Sequence, residues 1–86
     1  MDNRPLRAIP GVGKKTEQDL LALGFTCVGD LKDQDPREIY ERDCTRRGFV
    51  IDICQLYVYR CAVYFARTPQ PEPEKCKWWY WKDHVL

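Results

Sequence analysis

The stretch FVIDICQLYVYRCAVYFAR, Phe49 to Arg67, limits the fold of this chain more than any other feature. Its polar positions Asp52, Gln55 and Tyr59 fall at helical spacing, and most of the rest is apolar. The pattern predicts a helix over about 50–67. The β-branched and aromatic content also permits a strand, but the run is too long for one. A helix that is apolar around most of its circumference belongs at the centre of a bundle. The chain has 86 residues, and a domain of that size buries only about 60–65% of its unfolded surface. Every other apolar element must therefore join the same core. No uncharged run approaches the roughly 18 residues of a membrane span, so no membrane partner is expected.

The other elements follow from their end signals. Asn3 is placed to cap a short helix through Arg4–Ala8, which Pro10 ends by disfavouring helical geometry at Ile9. Gly11 and Gly13 permit a tight reversal. A helix resumes at Lys14, with Leu20, Leu21 and Leu23 on its apolar side and Glu17, Gln18 and Asp19 outward. Gly24 and Phe25 match a glycine helix end with its hydrophobic partner. TCVGDLK reads as a loop and a turn of helix burying Val28 and Leu31. Asp35-Pro36 then starts a helix running to about Thr45, which buries Ile39, Tyr40 and Cys44 and is broken by Arg46-Arg47-Gly48.

Pro69, Pro71 and Pro73 alternate in TPQPEPE, which favours an extended strap reaching roughly 20 Å at 3.1 Å per residue. It leads to KCKWWYWKD, where Trp78, Trp79, Tyr80 and Trp81 either pack back over the bundle or form an exposed patch for bases or a protein. The expected organisation is a helical domain over residues 1–68, with residues 69–86 as a strap and aromatic tail on the same domain.

Charge is segregated although the net charge is only +1. Residues 1–15 carry Arg4, Arg7, Lys14 and Lys15 against Asp2 alone, whereas residues 16–43 are dominated by acids. Residues 44–67 hold Arg46, Arg47, Arg60 and Arg67 against Asp52. Local patches of this kind suit contacts with a charged partner, and they also arise by chance in short chains. Five cysteines, an odd number with no CxxC pair, point to buried thiols in a reducing, cytoplasmic setting rather than to a disulfide framework or zinc. The N-terminal residues lack the apolar core of a signal peptide. His84 is the lone histidine and stands two residues from the end of the sequence. No Walker pattern, paired-histidine metal motif or nucleophile elbow occurs, so neither catalysis nor a cofactor is expected.

The segment IPGVGKK, Ile9 to Lys15, followed by an apolar helix resembles the helix-hairpin-helix motif of DNA-binding proteins, over about residues 4–24. Across nearly the whole chain, PGVGKKTEQDLLALGF, VGDLKDQDP, LYVYRCAVYFA and KWWYWKD are similar to the small bacterial pathogenicity-locus family. Some members of that family have been labelled for mitomycin resistance. The resemblance implies an all-α, SAM-like bundle of about four to five helices. In proteins with this motif, carbonyls of the turn can also hold a monovalent cation, which here would mean groups near Ile9 and Val12.

Physical chemistry assigns the turn a phosphate-binding task. The amides of Gly11, Gly13, Lys14 and Lys15 are its donors, Val12 fixes the turn between helices, and the two lysine side chains add salt-sensitive attraction. Such contacts are independent of base sequence. Arg46 and Arg47, before Gly48, make a second turn with one glycine instead of two, and any phosphate contact there rests on arginine. Two functions stay open. The first is a non-catalytic DNA-binding module using Gly11, Val12, Gly13, Lys14, Lys15, Arg46 and Arg47. The second is a SAM-like protein-interaction module with a structural hairpin, docking a partner through the acidic 30–43 region or through Trp78, Trp79 and Trp81.

Overall fold

The computed structural model describes residues 2–86, and within them the chain is all-helical. Helix α1 spans Lys14–Ala22, α2 spans Pro36–Arg47 and α3 spans Cys54–Arg67. Short 3-10 turns at Leu6–Ala8, Val28–Leu31, Pro73–Cys76 and Trp78–Lys82 flank and join them. The described residues thus form three α-helices, fewer than the four to five expected, because several segments close only 3-10 turns.

Helix α3 is central. Tyr59, Cys61, Ala62 and Val63 are almost completely buried along it. Against it pack Leu6 and Ile9 from the N-terminal segment, Leu20 and Phe25 from α1 and its end, Val28 and Leu31 from the following turn, and Ile39 from α2. Each such side chain contributes about 1.5–3 kcal/mol through removal from water. The helix starts at Cys54, four residues later than its hydrophobicity suggests. The Asp52 carboxylate accepts the Cys54 N–H from just before the helix, with Ile53 at the N-cap, so this acid does not lie within the helix.

Helix α2 begins as its sequence dictates. Asp35 accepts the Arg37 N–H and Pro36 occupies the first position. Two helix ends close by the same device. At Gly24 (φ 96°), its N–H reaches the Leu21 carbonyl and that of Phe25 reaches Leu20. At Gly48 (φ 81°), its N–H bonds to the Thr45 carbonyl and that of Phe49 to Cys44.

The N-terminal helix is shorter than expected. Only Leu6–Ala8 closes, as a 3-10 turn, with Pro5 before it and no side-chain cap from Asn3. Asp2 is instead engaged with Arg4 through the backbone and side chain, which holds the Asp2 carboxyl down at about 2.

The proline strap is also brief. The chain bends at Pro69–Gln70, runs extended for two residues and enters a 3-10 turn at Pro73. The Tyr64 hydroxyl accepts the Glu72 N–H, and Trp81 buries its ring against Tyr64 and Cys61 while its indole donates to the Lys75 carbonyl. The Arg60 guanidinium, from α3, donates to the Trp81 and His84 carbonyls. A radius of gyration of 11.7 Å fits the roughly 12 Å of a compact chain of this length, so the tail is folded back.

Leu31 is fully buried although its helical turn is only four residues long. Leu31→Ala is therefore expected to lower unfolding free energy by about 2–5 kcal/mol in urea denaturation, with an unchanged denaturant slope.

Candidate nucleic-acid interface

The glycine turn is built by four residues. The Val12 N–H donates to the Ile9 carbonyl at 3.1 Å, with Pro10 and Gly11 between them. Gly11 has φ 87°, so Pro-Gly occupies the two central positions of a type II turn, the second of which demands positive φ. Ile9 and Val12 point into the core, 1% and 7% exposed, which leaves Gly11 and Gly13 outside. The Cys61 thiol of α3 packs beside the turn, 3.9 Å from the Pro10 carbonyl and 3.7 Å from that of Lys75. Burial pushes that thiol up to about 12, so it remains a protonated donor at neutral pH.

Helix α1 starts directly after the turn. Gly13 is its N-cap, in extended geometry and with no side chain to satisfy the first amides. Among the described residues, no protein group accepts the N–H groups of Gly11, Gly13, Lys14 or Lys15. These donors face water at the positive end of the helix dipole. Lys14 and Lys15 are exposed, and neither joins an ion pair among the described residues. The Ile9 carbonyl, one of the two groups to which the motif resemblance points for a cation, is the one that closes the turn.

Arg46 and Arg47 have a different setting from the one expected. Arg46 bonds Asp43 at 2.9 Å and Asp19 at 3.0 Å. Arg47 pairs with the same two carboxylates. Asp43 is fully buried and also accepts the Tyr59 hydroxyl at 2.7 Å. Burial opposes the charge on Arg47, but Asp43 and Asp19 outweigh it, and its pKa is raised. Burial and then the Asp43 carboxylate push the Tyr59 phenol above its usual range, so it stays a donor. Asp19 is correspondingly 7% exposed instead of outward. The two arginines thus neutralise two buried acids and link α1, α2 and α3; their charge is not free in the way that of Lys14 and Lys15 is.

Sequence reasoning passed over Asp19, Asp43 and the loop after Gly48. One local signal was available: Asp43, Arg46 and Arg47 stand at i, i+3 and i+4, the spacing of helical ion pairs. The second turn also differs from the first. It is an open loop over residues 48–53 in which Phe49, Val50 and Ile53 are exposed. Of the tail tryptophans, Trp81 is buried, Trp78 is half-buried and Trp79 is 56% exposed. Among the described residues no group of three His, Cys, Asp or Glu side chains converges on a metal position, and no helix is long and apolar enough to cross a membrane.

A small all-helical domain with an uncapped, lysine-bearing glycine turn is the class these features define. The chain belongs to the Cdd1 pathogenicity locus family, whose profile matches residues 2–85. It is 30% identical over 80 residues to mitomycin resistance protein McrB of Streptomyces lavendulae, covering 93% of this chain and 72% of that protein. A 38-residue stretch, 44% of this chain, is 47% identical to part of DNA polymerase IV of Methanoculleus marisnigri, of which it spans 11%. No solved structure matches.

Two substitutions separate the roles of the glycines. Nothing lies within 4 Å of a Cβ added at Gly11 or Gly13, but only Gly11 has positive φ. Gly11→Ala is expected to cost about 1–2 kcal/mol and Gly13→Ala less than about 0.5 kcal/mol in chemical denaturation. Equal losses would mean that the turn is not set by backbone φ. For the ion network, Asp43→Asn should destabilise by about 2–3 kcal/mol. That is below the loss for a fully isolated buried charge, because Asp19 still pairs with both arginines.

Proposed function

We propose that residues 4–24 act as a helix-hairpin-helix unit within a SAM-like bundle, and that the domain is a non-catalytic, sequence-independent DNA-binding module. The carrying observation is the set of exposed, unpartnered amides at Gly11, Gly13, Lys14 and Lys15, flanked by two lysines outside any ion pair. A phosphate seated there accepts from amides already oriented by the type II turn and the helix start. The helix dipole and both ammonium groups favour its charge. Contacts of this type hold the backbone and leave the bases unread. The similarity to a segment of DNA polymerase IV supports a DNA setting. No cofactor enters this function, and the five free cysteines suit a reducing cytoplasm.

Arg46 and Arg47 contribute by holding α1 in place, through Asp19, more than by direct phosphate contact. The alternative, a protein-interaction module, is favoured by one observation, the exposed ring of Trp79. The salt response separates the two readings.

Fluorescence anisotropy with labelled duplex DNA at 50 and 200 mM salt tests this function. Neutralising roughly two to four phosphates gives a log–log salt slope of about −2 to −4, hence a loss of about 15- to 250-fold between the two conditions. The Lys14→Glu/Lys15→Glu variant should retain its fold by circular dichroism and lose binding. Absence of binding at low salt would overturn the DNA reading and leave the turn as a packing element.

A further inference from the structure

Two helix ends in this domain share one sequence and one geometry, yet their aromatic residues have opposite fates. Gly24-Phe25 and Gly48-Phe49 both close their helices with the same pair of backbone bonds. Phe25 then turns into the core, 6% exposed, as the hydrophobic partner of such an end should. Phe49 remains 60% exposed, with Val50 beside it at 84%.

This exposure is held in place on both sides. Before Phe49, the Gly48 closure fixes the chain to α2. After Val50, Ile51 is buried and its carbonyl accepts the Tyr40 hydroxyl. The Asp52 carboxylate then accepts the Cys54 N–H at the start of α3. An aromatic side chain held outward between two anchors presents a face rather than fraying into water.

Phe49 and Lys15, the last residue of the glycine turn, line one cleft of about 340 Å³. Arg47, Asp52 and Gln55 also line it. Arg47 is already neutralised by Asp19 and Asp43, whereas the Asp52 carboxylate, held below its usual range by the Cys54 N–H, keeps its charge. The amide nitrogen of Gln55 is buried without a hydrogen-bond partner. A buried donor left this way is costly until an acceptor reaches it, and Gln55 is among the residues that line this cleft.

We infer that this cleft receives one unpaired nucleobase, stacked on Phe49, while the adjoining phosphate sits at the Gly13–Lys15 amides. The inference rests on the DNA-binding reading and deepens it by naming the form of nucleic acid preferred. A base supplies a π-face for the phenyl ring and ring carbonyls or nitrogens that accept from Gln55. Its strand supplies the negative charge for which Lys15 and the amides are complementary. An apolar protein side chain satisfies Phe49 but neither Lys15 nor the Gln55 donor. The protein should accordingly favour DNA with an extrahelical or single-stranded nucleotide over an intact duplex.

Competition anisotropy with a blunt duplex, and with the same duplex carrying one unpaired adenine, tests this on the full chain. Replacing that adenine by 2-aminopurine reports stacking directly through its quenched fluorescence. Wild type is expected to favour the unpaired form by about tenfold and to quench the probe, in keeping with the strength of base–aromatic stacking. Phe49→Ala, at an exposed site and so leaving the fold intact, should abolish both the preference and the quenching while blunt-duplex binding persists. Lys14→Glu/Lys15→Glu should lose both substrates. Equal affinity for the two DNAs in wild type, or a preference that survives Phe49→Ala, would overturn the base cleft and leave phosphate binding standing. Failure to bind either DNA would overturn both.

Discussion

The carboxylate of Asp43 is the point on which the helices depend. It is fully excluded from water, and a charge in that position is tolerable only when it is paired and hydrogen-bonded. Arg46 and Arg47 lie one turn further along the same helix, and Tyr59 reaches it from α3. The guanidinium groups then have capacity left over, which Asp19 of α1 takes up. Helix α1 has nine residues and just one fully buried leucine, Leu20. Its orientation therefore rests on the Asp19 pairing together with Leu20 and Phe25. Since α1 carries the glycine turn at its start, the direction in which the free amides point depends on a carboxylate of the neighbouring helix α2.

The same network shapes the electric field at the turn. Asp19 stands barely more than one helical turn from Lys14 and Lys15, and an unpaired carboxylate there would offset them. Arg46 and Arg47 neutralise it, and the cluster of two acids and two guanidinium groups has no net charge. Two of the four arginines of residues 44–67 are thus neutralised internally. The positive end of α1 and its two lysines stand outside any ion pair among the described residues. A nearly neutral chain can in this way present a local anion site without being basic as a whole.

Most of the fold could be read from the sequence wherever the cause is local. The proline-glycine turn, the Asp35-Pro36 start, the glycine ends at Gly24 and Gly48 and the burial of Val28, Leu31 and Ile39 all follow from neighbours within a few residues. Errors appear where a distant partner decides. Asp19 looks like a solvent-facing acid by helical spacing, because its partner Arg46 is 27 positions away. Arg46 and Arg47 look like free cations although Asp43 stands three and four residues before them; their second partner, Asp19, is the distant one. The late start of α3 was obscured by the hydrophobicity of residues 49–53, although the Asp52 carboxylate accepts the N–H two residues on, as that of Asp35 does. The unpartnered amides of the turn were legible because they are backbone groups fixed by two glycines and a proline. Phe49 was not, since Gly48-Phe49 repeats Gly24-Phe25; only the flanks differ, Leu-Ala-Leu before Gly24 against Thr-Arg-Arg before Gly48.

On the proposed DNA-binding reading, that asymmetry bears on how so small a domain would gain affinity. Amides at a single turn and two lysines neutralise few phosphates, and their contribution weakens steeply with salt. Stacking on an aromatic face is far less dependent on ionic strength, and it selects for distorted or unpaired DNA because an intact duplex has no free base face to offer. If affinity came from phosphate contact alone, an exposed phenylalanine beside Lys15 would be a liability, adding apolar surface with no compensating partner. Pinning that side chain between the Gly48 helix end and the Tyr40–Ile51 hydrogen bond makes sense when its ring completes what the turn begins. On the proposed reading, one group would fix the strand and the next would test whether the base beside it is free to leave the stack.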